Sequence, residues 1–349
     1  MFTAILLFII KLLFLILFGT WVTIGISLLY RRKRKRHLIK IETTFAEITS
    51  RYLYPPSDQP FDLVRANRSF RKLGIHPGKP ENVQYLIDLM IRTQRSLLGK
   101  NYEKLELLYE QIPPYRVSLN KLRSRKWYVK ARGLREIYEM DQNQYLREVI
   151  REINHENIYV RREAQIAMVV FLGWESFRFL PYLKREMPLW QQIKIVEKLH
   201  DLYPIANLKY LKRAYNSEKP YATELIMRII RKFELDEEVD YIIKYLDSPN
   251  FDTREAAIYC ISSFSLSEKQ LLELKYKFMN INNSEQKVQL LKYINRISPE
   301  IDVPFFKLLL YNGNEIIKMC SAEILWSHGC MEEVEEFYYQ QYPAQPQPA

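Results

Sequence analysis

Residues 157–172 read NIYVRREAQIAMVVFL, a stretch marked by Val160, Arg161 and Ala164. Residues 251–264, FDTREAAIYCISSF, have the same order of a β-branched residue, a cation, and an alanine four places after the first. The matching residues in this second stretch are Thr253, Arg254 and Ala257. Because three steps of 31 residues separate the two copies, the sequence has the fixed period that is typical of repeat architectures.

Steps of this length define seven anchor positions, with one interval of 33. They are Val129, Val160, Gln191, Ala222, Thr253, Gln286 and Ile317. The residue eight places after each anchor is always apolar: Ile137, Met168, Leu199, Ile230, Ile261, Ile294 and Leu325. The residue four places after it is small or apolar throughout. Offsets of four and eight lie on one face of an α-helix, so the pattern predicts one buried stripe for each repeat.

Each anchor helix follows a turn rich in helix-breaking residues, such as NHEN at 154–157 and DSPN at 247–250. A second amphipathic run comes before each turn, so each unit is predicted to be a helical hairpin. A hairpin of this size cannot bury its own apolar stripe and must stack on its neighbours. The sequence therefore predicts an all-α protein, with an α-solenoid of about seven hairpins over residues 101–338.

This pattern resembles HEAT repeats. In its short period and in Val160, Arg161 and Ala164 it is most similar to the HEAT-like repeats of phycobilin lyases. The resemblance covers about residues 101–335, although the pairs at 191–192 and 222–223 lack the valine and arginine. It implies a solenoid that binds proteins. It also implies that the cation after the anchor, as in Arg161 and Arg254, braces neighbouring repeats through carboxylates in the turns.

The N-terminal segment has the composition of a membrane anchor. Residues 12–30 alone would form a helix about 28 Å long, enough to cross the hydrocarbon layer. Six consecutive cations follow: Arg31, Arg32, Lys33, Arg34, Lys35 and Arg36. The positive-inside rule then places the rest of the chain in the cytoplasm, with the N-terminus outside, as in a single-pass protein of the bacterial inner membrane. The same cluster is also a candidate contact for anionic lipid headgroups.

The domains predicted on this basis follow the order of the chain. An anchor at 1–30 is followed by a basic juxtamembrane segment at 31–40, a helical N-terminal cap at 41–100 and the solenoid. Residues 339–349, which are rich in proline and glutamine, are predicted to be a disordered tail.

Charge and composition argue against several functions. The formal net charge is +11, but residues 1–40 hold eight cations and no acid, which leaves a net of +3 for the remainder. This balance does not favour nucleic-acid binding. The nine glycines form no phosphate-binding loop, and the five histidines and three cysteines lack metal-ligand spacing. We therefore predict no catalytic residue, no cofactor and no metal site.

One local concentration of charge is a candidate contact for a partner. Residues 121–135 contain seven cations and no acid, together with two adjacent aromatic residues. The candidate residues are Lys121, Arg123, Arg125, Lys126, Trp127, Tyr128, Lys130 and Arg132. Such a segment binds headgroups or an acidic partner, or else packs its aromatic residues at the first repeat while the cations are solvated.

The leading functional hypothesis is a membrane-anchored cytoplasmic scaffold that binds a protein partner through its solenoid. The resemblance to phycobilin lyases implies an alternative, a small-molecule or chromophore lyase or chaperone. A nucleic-acid-binding solenoid is a further alternative.

Overall fold

The computed structural model describes residues 2–55, 61–97, 99–217, 219–298 and 300–341. Within these ranges the regular structure consists of 18 α-helices and three short 3-10 segments, without a strand. The prediction of an all-α protein is confirmed. The residues form two compact units, which divide after Ala167 and are described separately below.

The first helix, α1 (Phe2–Leu53), runs for 52 residues without a break. The sequence predicted an anchor, a basic segment and the start of a cap, and the structure has one helix through all three. Arginine and lysine are good helix formers, so six consecutive cations do not end the helix. Its apolar part has a mean hydropathy of 2.1 and is not buried. By length and composition, α1 is the one helix in the described chain that could cross a membrane.

The C-terminal third of α1 belongs to the core of the first unit. Ile41 and Phe45 of α1 are buried together with Phe70, Leu86 and Tyr109. The helices after α1 in this unit are α2 (Leu63–Lys72), α3 (Pro80–Gln94), α4 (Lys100–Gln111), α5 (Pro113–Leu122), α6 (Trp127–Glu139) and α7 (Leu146–Glu152), with a 3-10 segment at Asn143–Tyr145. The sequence reading did not identify α2. The division between the units falls inside α8 (Ile158–Leu172).

Helices α5 and α6 approach each other closely at Gly133, which lies four residues after the first anchor. A Cβ atom on Gly133 would lie 2.3 Å from the backbone nitrogen of Leu122 and 2.6 Å from the carbonyl carbon of Lys121. The repeat needs a small residue here because the backbone of the neighbouring helix occupies the space of a side chain.

The second unit continues the alternation of helices and turns. After a 3-10 segment at Gly173–Tyr182 it contains α9 (Leu189–Leu202), α10 (Leu208–Ala214), α11 (Pro220–Lys232), a 3-10 segment at Asp236–Glu238, α12 (Val239–Ile243), α13 (Phe251–Ile261), α14 (Glu268–Asn280), α15 (Ser284–Ile297), α16 (Val303–Asn312), α17 (Glu315–Ser327) and α18 (Met331–Gln341). Helices α9, α11, α13, α15 and α17 pack in succession, each against the next. The last three residues of α18 overlap the predicted disordered tail, and residues 342–349 of that tail lie outside the described residues.

The positions that the period predicted to be buried are buried. All seven residues eight places after an anchor are at most 4% exposed. The residues four places after the anchors are also buried, from Gly133 to Ser321. On the opposite faces of α9, α13 and α17, residues such as Ile193, Glu255 and Met319 are exposed.

Asparagine fixes the start of several anchor helices. Asn250, Asn283 and Asn314 each lie three residues before an anchor. Their side-chain oxygens accept hydrogen bonds from the anchor N–H groups at 2.9, 3.0 and 3.1 Å. An N-cap of this kind satisfies a backbone donor that the helix itself cannot pair.

The cations after the anchors contact several kinds of acceptor. Arg161 and Arg254 donate to carbonyl oxygens of their own preceding turns, at 2.8 Å to His155 and 2.6 Å to Ser248. Arg254 also donates to Gln286 of α15 at 2.5 Å. The HEAT resemblance implied carboxylates in this role. Lys130, the cation after the first anchor, contacts the Glu152 carboxylate at 2.6 Å, whereas Arg254 donates to a backbone carbonyl and an amide.

Candidate functional site

A long groove of about 1500 Å³ lies on the second unit, along the exposed faces of α9, α11 and α13. Its central residues occupy the positions two and six places after the anchors. They are Ile193 and Glu197 on α9, Glu224 and Arg228 on α11, and Glu255 and Tyr259 on α13. These offsets lie on the side of the helix opposite the buried stripe. The groove is therefore a consequence of the repeat register.

The charged residues of the lining are predominantly acidic, with seven carboxylates and three cations. Five carboxylates have no ion pair with the described residues: Glu186, Glu234, Asp236, Asp252 and Glu255. The apolar part of the lining includes Met187, Leu189 and Val196. The groove thus combines apolar side chains with an excess of negative charge.

Glu224 lies at the centre of this charge and is held by neutral donors. Its carboxylate accepts a hydrogen bond from Gln192 Nε2 at 2.8 Å and a longer one from Thr253 Oγ1 at 3.4 Å. Burial raises the pKa of Glu224, whereas the Gln192 hydrogen bond and the Arg228 charge lower it, and the nearby Asp252 carboxylate raises it again. A cation from a ligand would stabilise the charged form of Glu224 and so offset both the cost of its burial and the repulsion from Asp252.

Tyr259 forms an aromatic wall of the groove. Its ring is 54% exposed, and the guanidinium of Arg231 lies 3.7 Å from the ring centroid. Arg231 therefore covers one part of the ring by a cation–π contact, a geometry that cationic side chains of a ligand can also use. Tyr221 forms the wall near the start of α11, where its hydroxyl donates to the Leu183 carbonyl at 3.0 Å.

The basic segment at 121–135 that the sequence predicted has two parts in the structure, one paired within the first unit and one exposed. Lys121 is only 15% exposed and pairs with the buried Glu136 carboxylate at 2.7 Å. It also donates to Gln84 at 2.5 Å. Lys130 pairs with Glu152 at 2.6 Å. These two lysines are engaged in contacts within the first unit.

The remaining part of that segment is a solvent-exposed surface. Arg123, Arg125 and Lys126 are exposed and make no ion pair with the described residues, and Arg132 lies 4.0 Å from Glu136. Trp127 stacks on Tyr159 of α8, with ring centroids 5.3 Å apart, and meets Tyr128 edge to face. The sequence reading missed Tyr159. It could have been found because Tyr128 and Tyr159 both immediately precede an anchor.

The basic cluster after the apolar segment is exposed along α1. Within it, Arg34 pairs with Glu81 at the start of α3 at 2.6 Å. The hydrogen bonds that Arg34 donates to Tyr30 and Glu81 raise its pKa, so this side chain stays charged. The contact joins the basic cluster to the folded part of the first unit.

In the described part of the chain, no group of histidine, cysteine, aspartate and glutamate residues could hold a metal ion. The thiol of Cys260 is buried, and burial raises its pKa to about 12. It is consequently protonated at neutral pH and packs as a small apolar side chain.

The sequence matches no protein-family model, and the curated proteins contain no significant match to it.

Proposed function

We propose that the chain is a membrane-anchored scaffold that holds a positively charged segment of a partner protein in the groove of the second unit. The observation that carries the proposal is the groove itself, which is lined by apolar side chains together with five carboxylates that have no ion pair with the described residues. A basic peptide segment with apolar side chains complements both properties. The phosphate backbone of a nucleic acid would be repelled by the same carboxylates, so the groove favours a protein ligand.

In this proposal α1 is the single-pass anchor and the helical hairpins form a HEAT-like α-solenoid. Support for the solenoid comes from the seven buried positions eight residues after the anchors and from the successive packing of α9, α11, α13, α15 and α17. The cations at 31–36 support a cytoplasmic location for the folded part, at the inner membrane of a bacterium. The chain then acts without catalysis, by concentrating its partner at that surface.

The direct test measures binding of a fluorescent oligolysine peptide to the full chain in detergent. The groove variant carries Glu224→Gln and Glu255→Gln, which remove two negative charges without changing side-chain size. The control variant carries Glu268→Gln and Glu273→Gln, which remove two exposed carboxylates of α14 outside the groove. We expect the groove variant to bind about tenfold more weakly, and the control variant to change by less than about twofold.

An oligoglutamate peptide and duplex DNA should not compete with oligolysine. Equal affinity of the two variants would show that the groove does not select cationic ligands. Crosslinking in cells, with the anchor intact, then shows whether one partner protein is crosslinked to the control variant and not to the groove variant. The same experiment with Lys126→Glu and Trp127→Ala tests the predicted contact on the first unit separately.

A further inference from the structure

The position of the first unit relative to the membrane follows from α1, because the same helix contains the apolar segment and part of the core. An α-helix rises by about 1.5 Å per residue, so residue numbers along α1 measure the distance from Tyr30 at the end of the apolar segment. Arg34 then lies about 6 Å beyond Tyr30, and His37 about 10 Å beyond it.

Helix α3 runs parallel to α1 from this level onward. Arg34 pairs with Glu81 at 2.6 Å, and the ring Nε2 of His37 lies 3.1 Å from Asn82 Nδ2. Further along, the Tyr85 hydroxyl donates to the Glu42 carboxylate. Because higher numbers on α1 meet higher numbers on α3, the N-terminus of α3 is its end nearer to Tyr30.

The loop between α2 and α3 is fixed at the same end. Asn82 Nδ2 donates to the backbone carbonyls of Leu73 and Gly74 at 3.3 and 3.4 Å. Loop residues 73–79 therefore lie at the level of Arg34 and His37. The headgroup layer extends roughly 5 to 8 Å beyond the hydrocarbon edge on each side, so the part of the loop at the level of Arg34 lies within that layer, and the part at the level of His37 lies just beyond it.

The charge of this region is one-sided. Residues 63–80 contain five cations, Arg65, Arg68, Arg71, Lys72 and Lys79, and no acid. All five are exposed and have no ion pair with the described residues. The dipole of α2 accounts for cations in its last turn, at Arg71 and Lys72, but not for Lys79, which lies in the loop. Of the nearby acids, Glu81 is paired with Arg34, and the Glu42 carboxylate accepts a hydrogen bond from the neutral Tyr85 hydroxyl.

The geometry points to a second lipid-binding surface, formed by the C-terminal half of α2 and loop 73–79, that binds anionic headgroups of the bilayer crossed by α1. The inference rests on the anchor in the proposed function and adds to it. The first unit is held against the membrane by this surface as well as by the cations at 31–36, and α1 is thereby fixed in its angle to the bilayer.

The first test measures how close loop 73–79 lies to the lipid headgroups. The full chain carries Cys330→Ser, which leaves the buried Cys260 and Cys320, and a fluorescent label on either Pro77→Cys or Lys100→Cys. Lys100 begins α4 beside Asn101, whose side chain donates to Tyr54, about 36 Å beyond Tyr30 along α1. In vesicles that contain a headgroup nitroxide lipid, we expect several-fold stronger quenching at residue 77 than at residue 100.

The second test measures lipid selection. Phosphatidylglycerol retained by the purified full chain is quantified for Arg71→Glu with Lys79→Glu, and for Arg51→Glu with Lys100→Glu at the opposite end of the unit. The first pair should retain about twofold less lipid than wild type, and the second pair as much as wild type. Equal quenching at residues 77 and 100, or equal retention by the two pairs, overturns the inference.

Failure of α1 to act as an anchor can be told apart from failure of the lipid-binding surface. A chain that does not float with vesicles at all overturns the anchor and, with it, this surface. Failure of oligolysine binding in the groove concerns the second unit alone and leaves the lipid result unchanged.

Discussion

Replacing Gly133 with alanine adds one methyl group at the place where α6 meets α5. The new Cβ would lie 2.3 Å from Leu122 N, 2.6 Å from Lys121 C and 2.8 Å from Lys121 Cβ, whereas ordinary contact begins at 3.4 Å. The backbone of α5 would have to retreat by about 1 Å, and because two of the three atoms are main-chain atoms, no change of rotamer relieves the clash.

The net effect is the difference between two opposing free energies. Helix propensity favours alanine over glycine by about 1 kcal/mol in a helix interior. Overpacking costs typically about 1–3 kcal/mol, and here the shift also displaces Lys121 from its ion pair with the buried Glu136, which brings the total cost to about 2–4 kcal/mol. We expect the variant to be less stable by about 1–3 kcal/mol, with a melting temperature several degrees lower.

Thermal unfolding of the full chain, followed by circular dichroism and by limited proteolysis of the first unit, measures this difference. The control is Gly25→Ala in the exposed part of α1, where an added Cβ meets nothing within 4 Å. A Gly133→Ala protein as stable as wild type, or more stable, would refute the close approach of α5 and α6.

Two further predictions concern charges of the first unit. Lys121→Met removes the close cation of the buried Glu136 carboxylate and leaves only Arg132, at 4.0 Å, so we expect a loss of about 3 kcal/mol in unfolding free energy, against less than about 0.5 kcal/mol for the exposed Arg123→Met. Equal losses in denaturant unfolding would contradict the assignment of Lys121 to the interior. Burial, then the charges of Asp141, Glu110 and Glu103, raises the pKa of Glu106 to about 7. As the pH rises from about 4.5 to about 7, the unfolded chain loses this proton before the folded chain does, and stability falls. Glu106→Gln should therefore stabilise the protein at pH 8, by on the order of 1 kcal/mol because the carboxyl is partly exposed and screened, and not at pH 4. A variant whose melting temperature follows the wild type at both pH values would show that Glu106 does not titrate in this range.

The sequence predicted the helical class and the buried positions from periodicity alone. Ile137, Leu199 and Ile294 are each completely buried, as their offset from an anchor predicted. Burial of this kind depends on spacing along one helix, which the sequence contains. The same reasoning would have identified the groove, since Glu224 and Glu255 both lie two residues after an anchor.

Other features required the tertiary structure, because they depend on residues that the fold brings together. Lys121 is one of seven cations in its segment. Its side chain lies in the interior because it donates to Glu136 and Gln84, which lie on other helices. Trp127 stacks on Tyr159, 32 residues further along the chain.

The sequence by itself determined which face of each anchor helix is buried and where an apolar helix could cross a bilayer, since both follow from local spacing and composition. Only the tertiary structure decided which charges are neutralised. A charge is neutralised when an opposite charge on another helix lies close to it, as Glu81 lies close to Arg34. Packing of the helices sets that distance.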